Sequence, residues 1–168
     1  SFTAGSEVAG SETWPAYLEK LAGVRVINAG VGGWAADQIV LRAEQLMPVT
    51  KPRGIVVSFL ADDILRNRNR TFGGINKPYF TVDNDVLTAH NIPVPRYSAN
   101  VRDMGYIRLL TGYSYVTTEI LKAYAPDLWN ERFTQIYNFV DNDPVAVSCA
   151  LVGRLKRQAD KVGTRAFL

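Results

Sequence analysis

Asn28-Ala29-Gly30-Val31-Gly32-Gly33-Trp34-Ala35-Ala36-Asp37-Gln38 is the stretch on which the reading of this chain turns. An apolar run, Val24-Arg25-Val26-Ile27, precedes it, and a helical pattern carrying Ile39, Val40 and Leu41 follows. A strand, a Gly-rich turn and a helix in succession form the layout of a ligand-facing loop in an α/β fold. Glycines let the backbone take positive φ and bring exposed N–H donors close to a reacting group.

Upstream, residues 1–10 are small and polar, with Gly5 and Gly10, and read as loop. Thr13 then stands as a helix N-cap, and Pro15 is tolerated in a first turn. Trp14, Tyr17, Leu18 and Leu21 recur at three- and four-residue steps and predict one apolar helix face. Ala22-Gly23 ends that helix, and residues 24–28 form a short strand. Downstream, residues 36–47 read as a second helix, with Ile39, Val40, Ala43, Leu46 and Met47 inward and with Pro48 and Pro52 preventing continuation. Residues 54–60, Gly-Ile-Val-Val-Ser-Phe-Leu, are nearly continuous β-formers, the signature of a strand buried on both faces. Strand, helix, strand in this order implies right-handed crossovers and an α/β fold built on a doubly wound parallel sheet. Asp62-Asp63 follows the second strand. Ligand sites in such sheets lie beyond the carboxyl ends of the strands, so the 30–33 loop and Asp62 are expected on one rim.

Beyond Arg66 the pattern changes. Tyr79-Phe80-Thr81-Val82 and Val86-Leu87-Thr88-Ala89 flank Asp83-Asn84-Asp85 and predict a hairpin. Residues 103–124 carry an amphipathic helical pattern, and residues 127–139 are aromatic-rich. The stretch 66–143 reads as an insertion in a single domain spanning 1–168, either a lid and substrate wall or a packing subdomain. Pro144 opens a last helix that Gly163 closes, and Thr164-Arg165-Ala166-Phe167-Leu168 begins another strand. A start at Ser1 without Met, and an end inside a strand, are the marks expected of a fragment.

A length of 168 residues supports one α/β domain with a sizeable core. Net charge is +3, and the basic residues are scattered apart from Arg66-Asn67-Arg68-Asn69-Arg70 and Arg154-Leu155-Lys156-Arg157. That is too thin for a nucleic-acid partner. No apolar run approaches the ~20 residues of a membrane span. Cys149 is the sole cysteine and is expected to be a buried structural thiol, which leaves the compartment open. Asp83-Asn84-Asp85 and Asp141-Asn142-Asp143 do not continue into a calcium loop, and no Cys/His pairing points to zinc, so no metal and no cofactor are expected.

Three blocks carry a family resemblance. Ser1-Phe2-Thr3-Ala4-Gly5 resembles the opening block of the SGNH (GDSL-type) hydrolases, Gly-Asp-Ser-x-Thr-x-Gly, from its Ser onward. Asn28-Ala29-Gly30-Val31-Gly32-Gly33 is similar to the second block, and Phe59-Leu60-Ala61-Asp62-Asp63-Ile64 falls where the third, Gly-x-Asn-Asp, is expected. The resemblance covers residues 1–66 and, more loosely, the final helix and strand. It implies a flavodoxin-like three-layer fold and a serine esterase mechanism. The nucleophile maps onto Ser1, an oxyanion-hole glycine onto Gly33, and the third-block Asn position onto Asp62. Loss of one oxyanion donor typically costs about 2.7–4 kcal/mol of transition-state stabilisation. An ionised carboxylate only accepts hydrogen bonds, so Asp62 departs from what the position requires, as does Leu60. The family's Asp-x-x-His block is absent, and the single histidine, His90, lies in the hairpin. The polypeptide as it stands is therefore expected to be inactive.

Several functions fit this reading. The first is hydrolysis of carboxylesters, or of O-acyl groups on carbohydrates or lipids, through Ser1, with acyl transfer as a variant. The second is a degenerate SGNH-like domain that binds without catalysis. An N-terminal nucleophile hydrolase fits less well, because its sheet is antiparallel. A Rossmann domain lacks its Gly-x-Gly-x-x-Gly spacing. Acyl group, oligomeric state and compartment are not encoded in any motif.

Overall fold

The computed structural model describes residues 2–72, 75–95, 114–125 and 139–167. Ser1, Leu168, the first half of the 103–124 pattern and nearly all of the 127–139 stretch lie outside them. The described residues form a mixed α/β fold. The elements are α1 (Trp14–Ala22), α2 (Ala36–Thr50), β1 (Gly54–Val56), α3 (Ala61–Leu65), β2 (Thr71–Phe72), β3 (Ile75–Asn76), β4 (Tyr79–Asp83), β5 (Val86–His90), α4 (Tyr115–Tyr124), α5 (Pro144–Lys161) and β6 (Arg165–Phe167), with short 3-10 turns at Gly10–Glu12 and Arg66–Arg68.

The chain divides into two compact units. One comprises Ser1–Arg68, Tyr79–His90 and Asn142–Leu168, so the hairpin groups with the first part of the chain. Its core is a helix pair, α2 and α5, with the hairpin and the parallel strands packed on it. Val147, Leu151, Leu155 and Ala159 stand four residues apart on α5 and are all buried. That spacing keeps them on one face, where they meet Val40 and Met47 of α2, Val57 and Phe80. Asp143 caps α5, its Oδ1 accepting from the N–H groups of Val145 (2.8 Å) and Ala146 (3.3 Å). Arg154 joins the two helices through a bidentate pair with Glu44, both N···O distances 2.8 Å, and lies over the Phe80 ring.

β1 and β6 are parallel, with Ile55 opposite Ala166, and Val57 N–H extends the ladder to Phe167 O at 2.9 Å. The hairpin β4–β5 closes on Asn84 and Asp85, both with positive φ (48° and 61°), which is the backbone a two-residue connection needs.

Five local expectations change. Residues 24–28 are not in a strand; the Val26 N–H is taken by Glu19 Oε2 at 2.7 Å, and Val24 and Ile27 are exposed. β1 is shorter than the run 54–60, and Val56 is 53% exposed, because the parallel pair has no third strand among the described residues. α2 runs through Pro48 to Thr50. Pro48 is exposed in the last turn, where the ring meets solvent, and Lys51 (φ 45°) ends the helix. On α1 only Pro15 is buried; its apolar face is open. Cys149 is exposed, because it falls between the buried positions 147 and 151 on the outward side of α5.

The second unit comprises Asn69–Pro78 and Asn91–Asp141. It holds the two-residue strands β2 and β3 and a bridge between Asn69 and Phe139. Asn91 Nδ2 donates to Lys77 O at 3.1 Å. α4 is capped by Ser114, whose Oγ accepts from Thr117 N–H at 3.3 Å, and exposes Tyr115, Val116 and Ile120.

Candidate functional site

The 28–33 loop is built around one side chain. Asn28 Oδ1 accepts from the N–H of Gly30 at 3.0 Å, a local Asx turn that shapes the loop from within. Asn28 Nδ2 donates to Thr3 O at 2.7 Å and so reaches back 25 residues to the start of the chain. Trp14 Nε1 adds a second hold on the same residue, donating to Thr3 Oγ1 at 3.1 Å. Between these bonds the two backbones touch. A Cβ on Gly30 would lie 2.6 Å from Ala4 N and 2.8 Å from Thr3 C, which no side chain tolerates. Glycine at position 30 is thus set by this close approach. The first and second blocks of the resemblance are in direct contact through Thr3, Ala4, Asn28 and Gly30. Ser1 lies outside the described residues.

Gly33 closes the turn with φ 76°, a backbone that glycine adopts without strain. It is half-buried, and no described group accepts from its N–H. α2 begins three residues later on the buried pair Ala35-Ala36, and Gln38 Oε1 accepts from Ala35 N–H at 3.3 Å.

Asp62 sits in the first turn of α3, exposed, with no hydrogen bond to the 30–33 loop. Its charge there complements the helix end. The neighbouring Asp63 is consumed by local structure. Its Oδ2 accepts from Leu60 N–H at 2.9 Å and its Oδ1 from Arg66 Nη1 at 2.9 Å. His90 is likewise engaged in its own hairpin. Its Nε2 lies 2.9 Å from Thr81 Oγ1, and its ring stacks on Tyr79, its partner across the ladder, at 4.8 Å and 12°. Among the described residues no group of His, Cys, Asp and Glu is placed to hold a metal ion, and no helix is long and apolar enough to cross a membrane.

A polar cluster that the residue pattern did not announce fixes the exit of the loop. Asn67 is fully buried. Its Oδ1 accepts from Asp37 N–H at 3.1 Å, in the first turn of α2. Its Nδ2 donates to Ser148 Oγ at 2.7 Å and to Pro144 O at 3.4 Å, in the first turn of α5. Ser148 Oγ in turn donates to Pro144 O at 2.8 Å. Asp37, also fully buried, accepts from Gln38 N–H at 2.7 Å. Three chain segments are therefore tied at one side chain, directly after the turn that carries Asp62. The signal lay in the alternation of Arg66-Asn67-Arg68-Asn69-Arg70: Asn67 and Asn69 are buried, while Arg68 and Arg70 face outward.

Beside Asn28 opens a cleft of about 360 Å³, bounded by α1 and by residues 26–28, with Thr13, Glu19 and Lys20 on its walls. No protein family, curated protein or solved structure matches the chain.

Proposed function

We propose that this chain is the nucleophile-bearing part of an SGNH-type serine hydrolase acting on ester bonds, with the doubly wound, flavodoxin-like sheet of that family and residues 66–143 as an insertion in it. Ser1 Oγ attacks the ester carbonyl, a base supplied by an Asp-x-x-His pair outside the chain takes its proton, and the alcohol leaves. The Gly33 N–H donates to the oxyanion that forms. Water then releases the acyl group; a sugar hydroxyl in place of water makes the same chemistry an O-acyl transfer. The substrate is a small ester or an O-acylated glycan or lipid, and no cofactor takes part.

The observation that carries this reading is the clasp at Asn28. It holds Thr3 and Ala4, two and three residues after the serine, against Gly30, three residues before the oxyanion glycine. The test is labelling of the protein, extended by its flanking coding sequence, with a fluorophosphonate probe. Covalent labelling that Ser1→Ala abolishes is expected. Absence of labelling overturns the reading.

A second reading, a binding module without catalysis, is supported by Asp62, an exposed carboxylate at the position that the resemblance assigns to a donor. Ester binding without labelling or turnover identifies that case.

A further inference from the structure

We infer that the end of the molecule where α2 and α5 finish docks onto an anionic phospholipid surface. Both helices lead through short connections into β1 and β6. These strands are parallel and paired, so both helix C-termini lie at the same edge of the fold. The two connections are fastened side by side. Arg165 N–H donates to Arg53 O at 3.1 Å, and Thr164 Oγ1 donates to Pro52 O at 2.8 Å.

Four cations stand on or beside these two connections: Lys51 and Arg53 after α2, and Lys161 and Arg165 around the end of α5. All four are exposed, and none has an ion-pair partner among the described residues. Asp160, the acid beside Lys161, is already held by Lys156 at 2.7 Å. Compensation of the helix dipoles does not account for them. Each helix C-terminus carries about half a negative charge, roughly one in total, against four positive side chains. The excess leaves this edge net positive and attractive to an anionic surface.

Two apolar side chains select the kind of anion. Val49, in the last turn of α2, is 80% exposed, and Val162, at the end of α5, is 63% exposed. A nucleic-acid backbone offers valines nothing. A bilayer interface offers phosphates to the cations and an apolar boundary to the valines. The contact is peripheral and independent of the ester chemistry proposed above.

The experiment is sedimentation of the whole chain with vesicles of phosphatidylcholine, with and without phosphatidylglycerol. Binding only to the anionic vesicles, weakening as salt is raised, is the expected result. Lys51→Asn with Lys161→Gln should weaken it roughly 25-fold, at about fivefold per surface cation. Asn suits the positive φ at position 51. Arg53→Gln with Arg165→Gln provides an independent pair should the first lose its helical circular dichroism. Val49→Ser with Val162→Ser should weaken binding at high and low salt alike. Equal binding to both vesicle types, no binding to either, variants that bind like the parent, or displacement from vesicles by duplex DNA would each overturn the inference.

Discussion

Helices α1 and α5 belong to the same unit and carry the same kind of apolar stripe, yet they meet opposite fates. On α5 every residue of the stripe is 0–1% exposed, against α2, β4 and the parallel strands. On α1, Tyr17 is 53% exposed and Leu21 86%. Periodicity states which residues share a face. Whether that face is dry depends on a second surface of matching shape arriving from elsewhere in the chain. α5 has that surface because Asp143 caps it, Asn67 ties its first turn to α2, and Arg154 clamps its middle to Glu44. α1 is held differently, by polar bonds at its ends: Trp14 to Thr3, and Glu19 to Val26.

This contrast is broken most severely by Leu151→Ala. Truncating a fully buried leucine removes its transfer energy and leaves a cavity, so unfolding free energy should fall by about 2–5 kcal/mol in a denaturant titration. An effect under ~1 kcal/mol would mean that the α2–α5 interface is not the core. Asn67→Ala comes next. It strands the Asp37 N–H and removes the donor to Ser148 and Pro144, which should cost about 1–3 kcal/mol. Its signature is faster amide hydrogen exchange in the first turns of α2 and α5 while α1 is unchanged. The smallest effect belongs to Leu21→Ser. An exposed position of this kind should shift stability by no more than ~0.5 kcal/mol. A loss near that of Leu151→Ala would show the α1 face to be covered in solution.

The same division separates what was legible from what was not. The hairpin was readable because its determinants are adjacent: two β-forming runs and an Asn84-Asp85 pair that accepts positive φ. The last helix was readable for the same reason, with Pro144 at its start and Gly163 just past its end. Of the candidate site, the Gly-rich loop and its glycines were legible. The clasp that brings Thr3 and Ala4 to Gly30 was not, since Asn28 bonds across 25 residues. Asn67 was hidden by its charged neighbours, which look like a solvated run until burial of every second residue is known.

Local pattern by itself determined that α2 and α5 are helices, the hairpin turn and the glycine loop, because each depends on groups a few bonds apart. Tertiary structure alone decided that Val24 and Ile27 lie exposed outside any strand, that Cys149 faces water, and that Asn67 is buried. Burial and strand pairing require a partner surface far away in the chain, and no local pattern carries information about where that surface will be.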